Sequence, residues 1–199
     1  MEKHTVFPDS IIVNKGIISK LFLELNIKTF RDACLFVLNL PYGYNSLRDD
    51  VTILFKDGYG TCTTKHAVIA TLAEELAISI LRMLGIYAMD EHLVTGAERI
   101  LAKYKLPYVP MIHCFLDYMD HGVDLTEGNH NGKNHPIEDF LYTEKVPPNI
   151  SEKEEYLLYR KALQERILMR TEMHGISMAD VLRARLEGVA LLRAKVSQQ

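Results

Sequence analysis

Apolar and polar residues recur along the chain with two periods, about 3.6 and 2, which predicts a mixed helix and strand protein. Residues 14–25 carry apolar positions at near-helical spacing. Thr29 and Asp32 form a Thr-x-x-Asp start signal for a second helix. Its inward stripe is Phe30, Ala33, Cys34, Val37 and Leu38, and Pro41 ends it. Tyr42-Gly43-Tyr44-Asn45-Ser46 reads as a loop. A glycine-punctuated turn, Asp57-Gly58-Tyr59-Gly60-Thr61-Cys62, runs straight into a helix predicted over 63–75. Residues 78–89, rich in Ile, Leu and Met, predict a buried strand, and Thr95 is expected to cap a short helix reaching Tyr104. Two strands of a hairpin are predicted over 111–118 and 122–126, turning near Met119-Asp120-His121-Gly122.

From Glu127 to Pro136 the chain is polar and poor in apolar residues, as expected of a loop. Pro147-Pro148-Asn149 marks a boundary. Beyond it, helical periodicity runs over 152–173 through Tyr156, Leu157, Tyr159, Leu163, Ile167 and Met169. His174-Gly175 breaks that pattern, and Ser177-x-x-Asp180 caps a last helix extending through Ala190. The expected architecture is α+β. Residues 1–150 form a core with N-terminal helices, and 151–199 form a C-terminal helical extension packed on the core or on a partner protomer.

Composition narrows the class. The 199 residues include 23 Lys+Arg and 26 Asp+Glu, a net charge of -3, with 48% hydrophobic and 25% charged residues. That balance fits a globular fold and argues against wholesale disorder. Mild acidity argues against nucleic-acid binding, which calls for a basic excess or stripe. The most apolar stretch, 67–89, is interrupted by Glu74, Glu75 and Arg82, so a membrane span is not expected. The opening MEKHTVFPDS has no long apolar run, and a reducing cytoplasmic location is the expectation.

Three cysteines, Cys34, Cys62 and Cys114, cannot all pair within one chain. Cys34 lies on an apolar helix face and reads as a small core residue. Cys62 differs: it follows Gly-x-Gly-Thr and opens a helix, where unpaired N–H groups and the helix dipole favour a thiolate. Its own N–H is placed to face a developing oxyanion. Lys65 and His66 add positive charge nearby, Lys65 as a thiolate-stabilising group or an exposed helix lysine. On this local pattern a nucleophile and a buried cysteine beside a glycine turn both remain open.

Acyl chemistry by a thiolate needs an imidazole and a group to hold it. His113 lies early in Met-Ile-His-Cys-Phe-Leu and Asp124 in Val-Asp-Leu-Thr. A turn centred on Met119-Asp120 pairs Phe115 with Asp124, which leaves Asp124 diagonal to His113 on one face. A turn centred on Asp120-His121 would oppose Asp117 to Asp124 and move Asp124 away by about 7 Å. Repulsion between two carboxylates favours the first register. Glu127 is the alternative orienting acid. The bland readings are a core histidine at His113 and a solvent-facing strand end at Asp124.

These segments, Gly-Tyr-Gly-Thr-Cys-Thr-Thr-Lys-His-Ala (58–67), Ile-His-Cys-Phe-Leu (112–116) and Asp-Leu-Thr (124–126), resemble the transglutaminase-like superfamily. The likeness covers roughly 29–126 and points to a bacterial branch with a Gly-Thr-Cys-x-Thr-Lys-His helix start. The resemblance implies a papain-like cysteine-proteinase core, in which a Cys-bearing helix packs on an antiparallel sheet bearing His and Asp. It implies Cys62 as nucleophile, His113 as general base and acid, and Asp124 as orienting carboxylate. The implied activity is hydrolysis of an amide or ester, on a peptide, protein or small molecule, through a thioester and with no cofactor. Transfer from a coenzyme A thioester, as in the similar arylamine acetyltransferases, finds no recognisable coenzyme site. The rival is a non-catalytic module that binds a peptide or protein. The chain departs from relatives in having no clear Gln or Trp before Cys62 to complete an oxyanion hole; Tyr42, Tyr44 and Asn45 are the substitutes.

Other groupings carry less. Cys62 and His66 share a helix face, but His113 and Cys114 alternate across a strand, so the four do not make a zinc site. His121, His130 and His135 fall in turn and loop and read as solvated. The basic residues of the C-terminal helices, Arg185 among them, alternate with Glu and read as a solvated face. Their apolar stripe is expected to meet the core or a second copy of the chain.

Overall fold

The computed structural model describes residues 3–126 and 130–197, and Glu127 lies outside them. The fold is α+β. Four helices come first: α1 (Ile17–Glu24), α2 (Phe30–Asn39), α3 (Ile53–Asp57) and α4 (Cys62–Glu75). Then follow β1 (Leu81–Met89), α5 (Ala97–Tyr104), β2 (Val109–Tyr118), β3 (His121–Val123) and β4 (Tyr142–Val146). The chain ends with α6 (Glu152–Ala162) and α7 (Met178–Val196). The strands form one antiparallel sheet in the order β3-β2-β1-β4.

Several boundaries differ from the sequence expectation. Strand β1 begins at Leu81, and neither α3 nor β4 is announced by the apolar pattern. Thr95 does not cap α5. The Glu91 carboxylate does, accepting from the Gly96 N–H at 2.9 Å and the Glu98 N–H at 2.8 Å. The periodic stretch 152–173 is not one helix: α6 ends at Ala162, widens into a π turn over Leu163–Ile167, and is followed by a 3-10 turn at Thr171–Met173.

The chain divides into two compact units. The first holds the described residues of Met1–Leu84, Cys114–Asn129 and Lys145–Ser151. Its core gathers Phe7, Phe22, Phe30, Cys34, Ile69 and Leu116, all fully buried. Helix α2 starts where the Thr29 hydroxyl accepts the Asp32 N–H at 3.2 Å, as the start signal predicts. Helix α1 is capped from a distance: Glu75, at the end of α4, accepts from the N–H groups of Ile18 at 3.0 Å and Ser19 at 2.6 Å. Gly16 leaves room for that carboxylate, because a Cβ there would stand 2.2 Å from Glu75 Oε1. Helix α4 is buried on nearly every side, which is why it shows no clean amphipathic stripe. Its larger buried aliphatic side chains, Val68, Ile69 and Leu72, each contribute about 1.5–3 kcal/mol.

The second unit holds the described residues of Gly85–His113, His130–Glu144 and Glu152–Gln199. Here α7 comes close to the strands at Gly188, where a Cβ would lie 2.9 Å from the Met89 methyl. The Tyr159 hydroxyl donates to Pro110 O at 2.8 Å. Arg185 stacks 4.8 Å over the Tyr159 ring, so this arginine packs on an aromatic face and is not simply solvated.

Candidate functional site

The first unit builds the mouth of α4 from a chain of short contacts. Gly58 ends α3 in the left-handed region, at φ 73. Gly60 then passes so close to Thr64 that a Cβ would stand 2.5 Å from its hydroxyl. Thr64 Oγ1 accepts the Thr61 N–H at 3.1 Å and donates to Asn45 Oδ1 at 2.8 Å. The Asn45 amide donates in turn to Asp57 at 2.8 Å and to Tyr59 O at 2.9 Å. Asn45, a sequence-based substitute for the oxyanion donor, therefore spends its amide on the framework that shapes the helix mouth. Cys62 is the first residue of α4 and is 7% exposed.

Four residues on from Cys62, His66 is fully buried and both ring nitrogens are engaged. Nε2 lies 2.8 Å from the Leu125 N and Nδ1 lies 2.8 Å from Cys62 O. An amide N–H can only donate, so Nε2 is the acceptor, and the proton sits on Nδ1, donating to the Cys62 carbonyl. The imidazole is therefore neutral, and the 3.5 Å approach of Asp124 Oδ1 to Nε2 is not an ion pair. Asp124 Oδ1 accepts from the Thr126 N–H at 2.8 Å and the Thr126 hydroxyl at 2.7 Å, which explains the Asp-x-Thr spacing.

The hairpin carries Asp124 in the first of the two registers considered. Leu116 pairs with Val123 and Tyr118 with His121. Met119 and Asp120 both have positive φ, 51 and 62, the signature of a two-residue type I′ turn. Strand β3 ends at Val123, so Asp124 follows directly on the paired residues.

Lys65 is not an exposed helix lysine. It is fully buried, and its ammonium donates to Leu40 O and, at 3.4 Å, to Leu38 O at the C-terminal end of α2. Burial pushes its pKa down to about 8, with the Asp124 charge opposing that fall.

The other two thiols have separate surroundings. Cys34 lies in the core, where burial raises its pKa well above the usual value, as its place on the α2 stripe implies. Cys114 accepts from Arg82 at 3.5 Å and lies 4.0 Å from the Thr63 hydroxyl. Arg82 is 1% exposed and also donates to Pro148 O at 2.7 Å and Thr63 O at 3.0 Å. A lone arginine inside an apolar strand is the sequence signal for this clamp, and on composition alone it does no more than interrupt an apolar run.

In the second unit, His113 is 2% exposed between two aromatic rings. Tyr87 meets it edge to face at 6.4 Å, and Phe140 stacks on it at 6.4 Å with planes 14° apart. Gly85 makes this possible, since a Cβ there would be 2.3 Å from the Phe140 ring. His135 is not simply solvated: its Nε2 lies 2.7 Å from His92 Nδ1. Of the three residues singled out as a triad, Cys62 and Asp124 thus belong to the first unit and His113 to the second. The first two are linked through His66, which the sequence pattern marks only as a nearby charge.

Among the described residues, no three His, Cys, Asp or Glu side chains converge as metal ligands, and no helix is long and apolar enough to cross a membrane. No family model, curated protein or solved structure matches the chain.

Proposed function

We propose that the chain is a cysteine-dependent acyl-transfer enzyme with a transglutaminase-like core, hydrolysing an amide or ester. The Cys62 thiolate adds to the carbonyl carbon. The bond to the leaving amine or alcohol breaks as His113 gives that group a proton, leaving a thioester on Cys62. Water, deprotonated by His113, then attacks the thioester; the carbon–sulfur bond breaks, releasing the acid and returning Cys62 as the thiolate. Asp124 holds the imidazole in its productive orientation. The observation that carries this reading is the linkage in the first unit: the backbone of Cys62, at the mouth of α4, is joined through His66 to the segment that bears Asp124. His113 enters from the sequence pattern. Water is favoured over an amine as acceptor because it is always available.

A second reading, a non-catalytic module binding a peptide or protein, is favoured by the low exposure of Cys62. p-Nitrophenyl acetate separates the two. The enzyme reading expects a burst of nitrophenolate and an acetyl mass increment on the Cys62 peptide. Both should be lost in C62S, and H113A should slow turnover by about 100-fold or more. Absence of a Cys62 acyl adduct would favour the binding module.

A further inference from the structure

The buried histidine of α4 lies outside the catalytic steps just described, yet it touches both groups of the first unit that those steps use. We propose that His66 is a positioning residue for the Cys62 site, a role that rests on the acyl-transfer reading above. The Nδ1–H of His66 donates to the carbonyl of Cys62, and Nε2 accepts the N–H of Leu125. One rigid ring thereby joins the backbone of the proposed nucleophile to the residue that follows the proposed orienting acid. Asp124 is fixed relative to Leu125 by its two bonds from Thr126. The direction of the Asp124 carboxylate with respect to α4 is thus set through Leu125, His66 and Cys62 in series.

Burial makes the linkage stiff. His66 is inaccessible to water, its Nδ1 meets a carbonyl in the first turn of its own helix, and its Nε2 meets a backbone N–H 59 residues away. Removing the ring leaves the Leu125 N–H and the Cys62 O without this tie, and the Asp124 segment is free to shift. A displacement of about 1 Å at a group distant from the bond being broken is enough to cost roughly 100-fold in rate. A carboxylate that no longer holds the imidazole also weakens its support for a thiolate, so the effect reaches the ionisation of Cys62.

The test compares wild type, His66→Leu and His66→Gln by site-resolved iodoacetamide labelling of Cys62 against pH. Glutamine can donate to Cys62 O and accept from Leu125 N–H, whereas leucine can do neither. The expected result is a Cys62 inflection about one pH unit higher in His66→Leu, with labelling at neutral pH slowed about tenfold and largely recovered in His66→Gln. Ile69→Val, a fully buried change on the same helix, should leave the inflection in place even where it lowers the melting temperature. If wild-type Cys62 labels with a low inflection and His66→Leu does not move it, the positioning role is overturned while the enzyme reading stands. If wild-type Cys62 titrates as an ordinary thiol, both fall. Should the leucine variant not fold, ring nitrogen shifts of the wild-type chain decide: a neutral ring protonated on Nδ1 supports the linkage, and a cationic or Nε2-protonated ring overturns it.

Discussion

Lys65 offers the sharpest stability prediction, because a buried ammonium gives folding a distinctive dependence on pH. Its folded-state pKa is about 8, against 10.5 for a solvated lysine, and the main cause is burial. A depressed lysine pKa means that the unfolded chain binds more protons between those values. Stability therefore rises with pH through that window and levels off above it. Each tenfold change in proton affinity is worth about 1.4 kcal/mol, so the full gain is roughly 3 kcal/mol, of which about 2 kcal/mol accrues between pH 7.5 and 9.5. Other groups act in the opposite sense at higher pH. Cys34, Tyr108 and Tyr142 have raised pKa values, so their unfolded forms ionise first and stability is lost above their ordinary pKa values. Comparison with Lys65→Met cancels those contributions. Urea unfolding of both proteins at pH 7.5, 8.5 and 9.5 should show the wild type gaining about 2 kcal/mol relative to the variant. Parallel pH profiles, within about 0.5 kcal/mol, would refute the burial of a charged Lys65.

Two further predictions concern backbone positions. Gly60→Ala drives a Cβ to within 2.5 Å of Thr64 Oγ1 and should cost about 1–3 kcal/mol, seen as a fall in melting temperature of several degrees. Met119→Asn together with Asp120→Gly supplies the residues a type I′ turn prefers at φ values of 51 and 62, and should stabilise the chain by about 1 kcal/mol in urea unfolding. Loss of stability in that double variant would contradict the turn assignment.

Much of the first unit is legible in the sequence because its signals are local. Thr29 and Asp32 lie three residues apart, and the cap they form is present. The hairpin register follows from the cost of setting Asp117 against Asp124, and in the structure Asp117 instead faces Gly122. Elements that depend on distant partners are not legible. Helix α3 and strand β4 are each five residues long, too short to declare a period. The α5 cap comes from Glu91, whose carboxylate folds back over the turn, while Thr95 engages Asn134. Lys65 and Arg82 belong to residue types that are rarely buried, and only the three-dimensional fold brings the carbonyls that receive them. His66 is hidden for the same reason. Its spacing from Cys62 is plain, but Leu125 reaches it across a separation of 59 residues.

The proposed chemistry stands or falls on the Cys62 sulfur. Site-resolved iodoacetamide labelling of the wild-type chain between pH 5 and 10 reads that sulfur directly. An activated nucleophile predicts an inflection for Cys62 well below the ordinary thiol value near 8.5. Cys34, held in the core, should label only on unfolding. A Cys62 inflection at or above 8.5, or labelling that appears only when the chain unfolds, would contradict the acyl-transfer account.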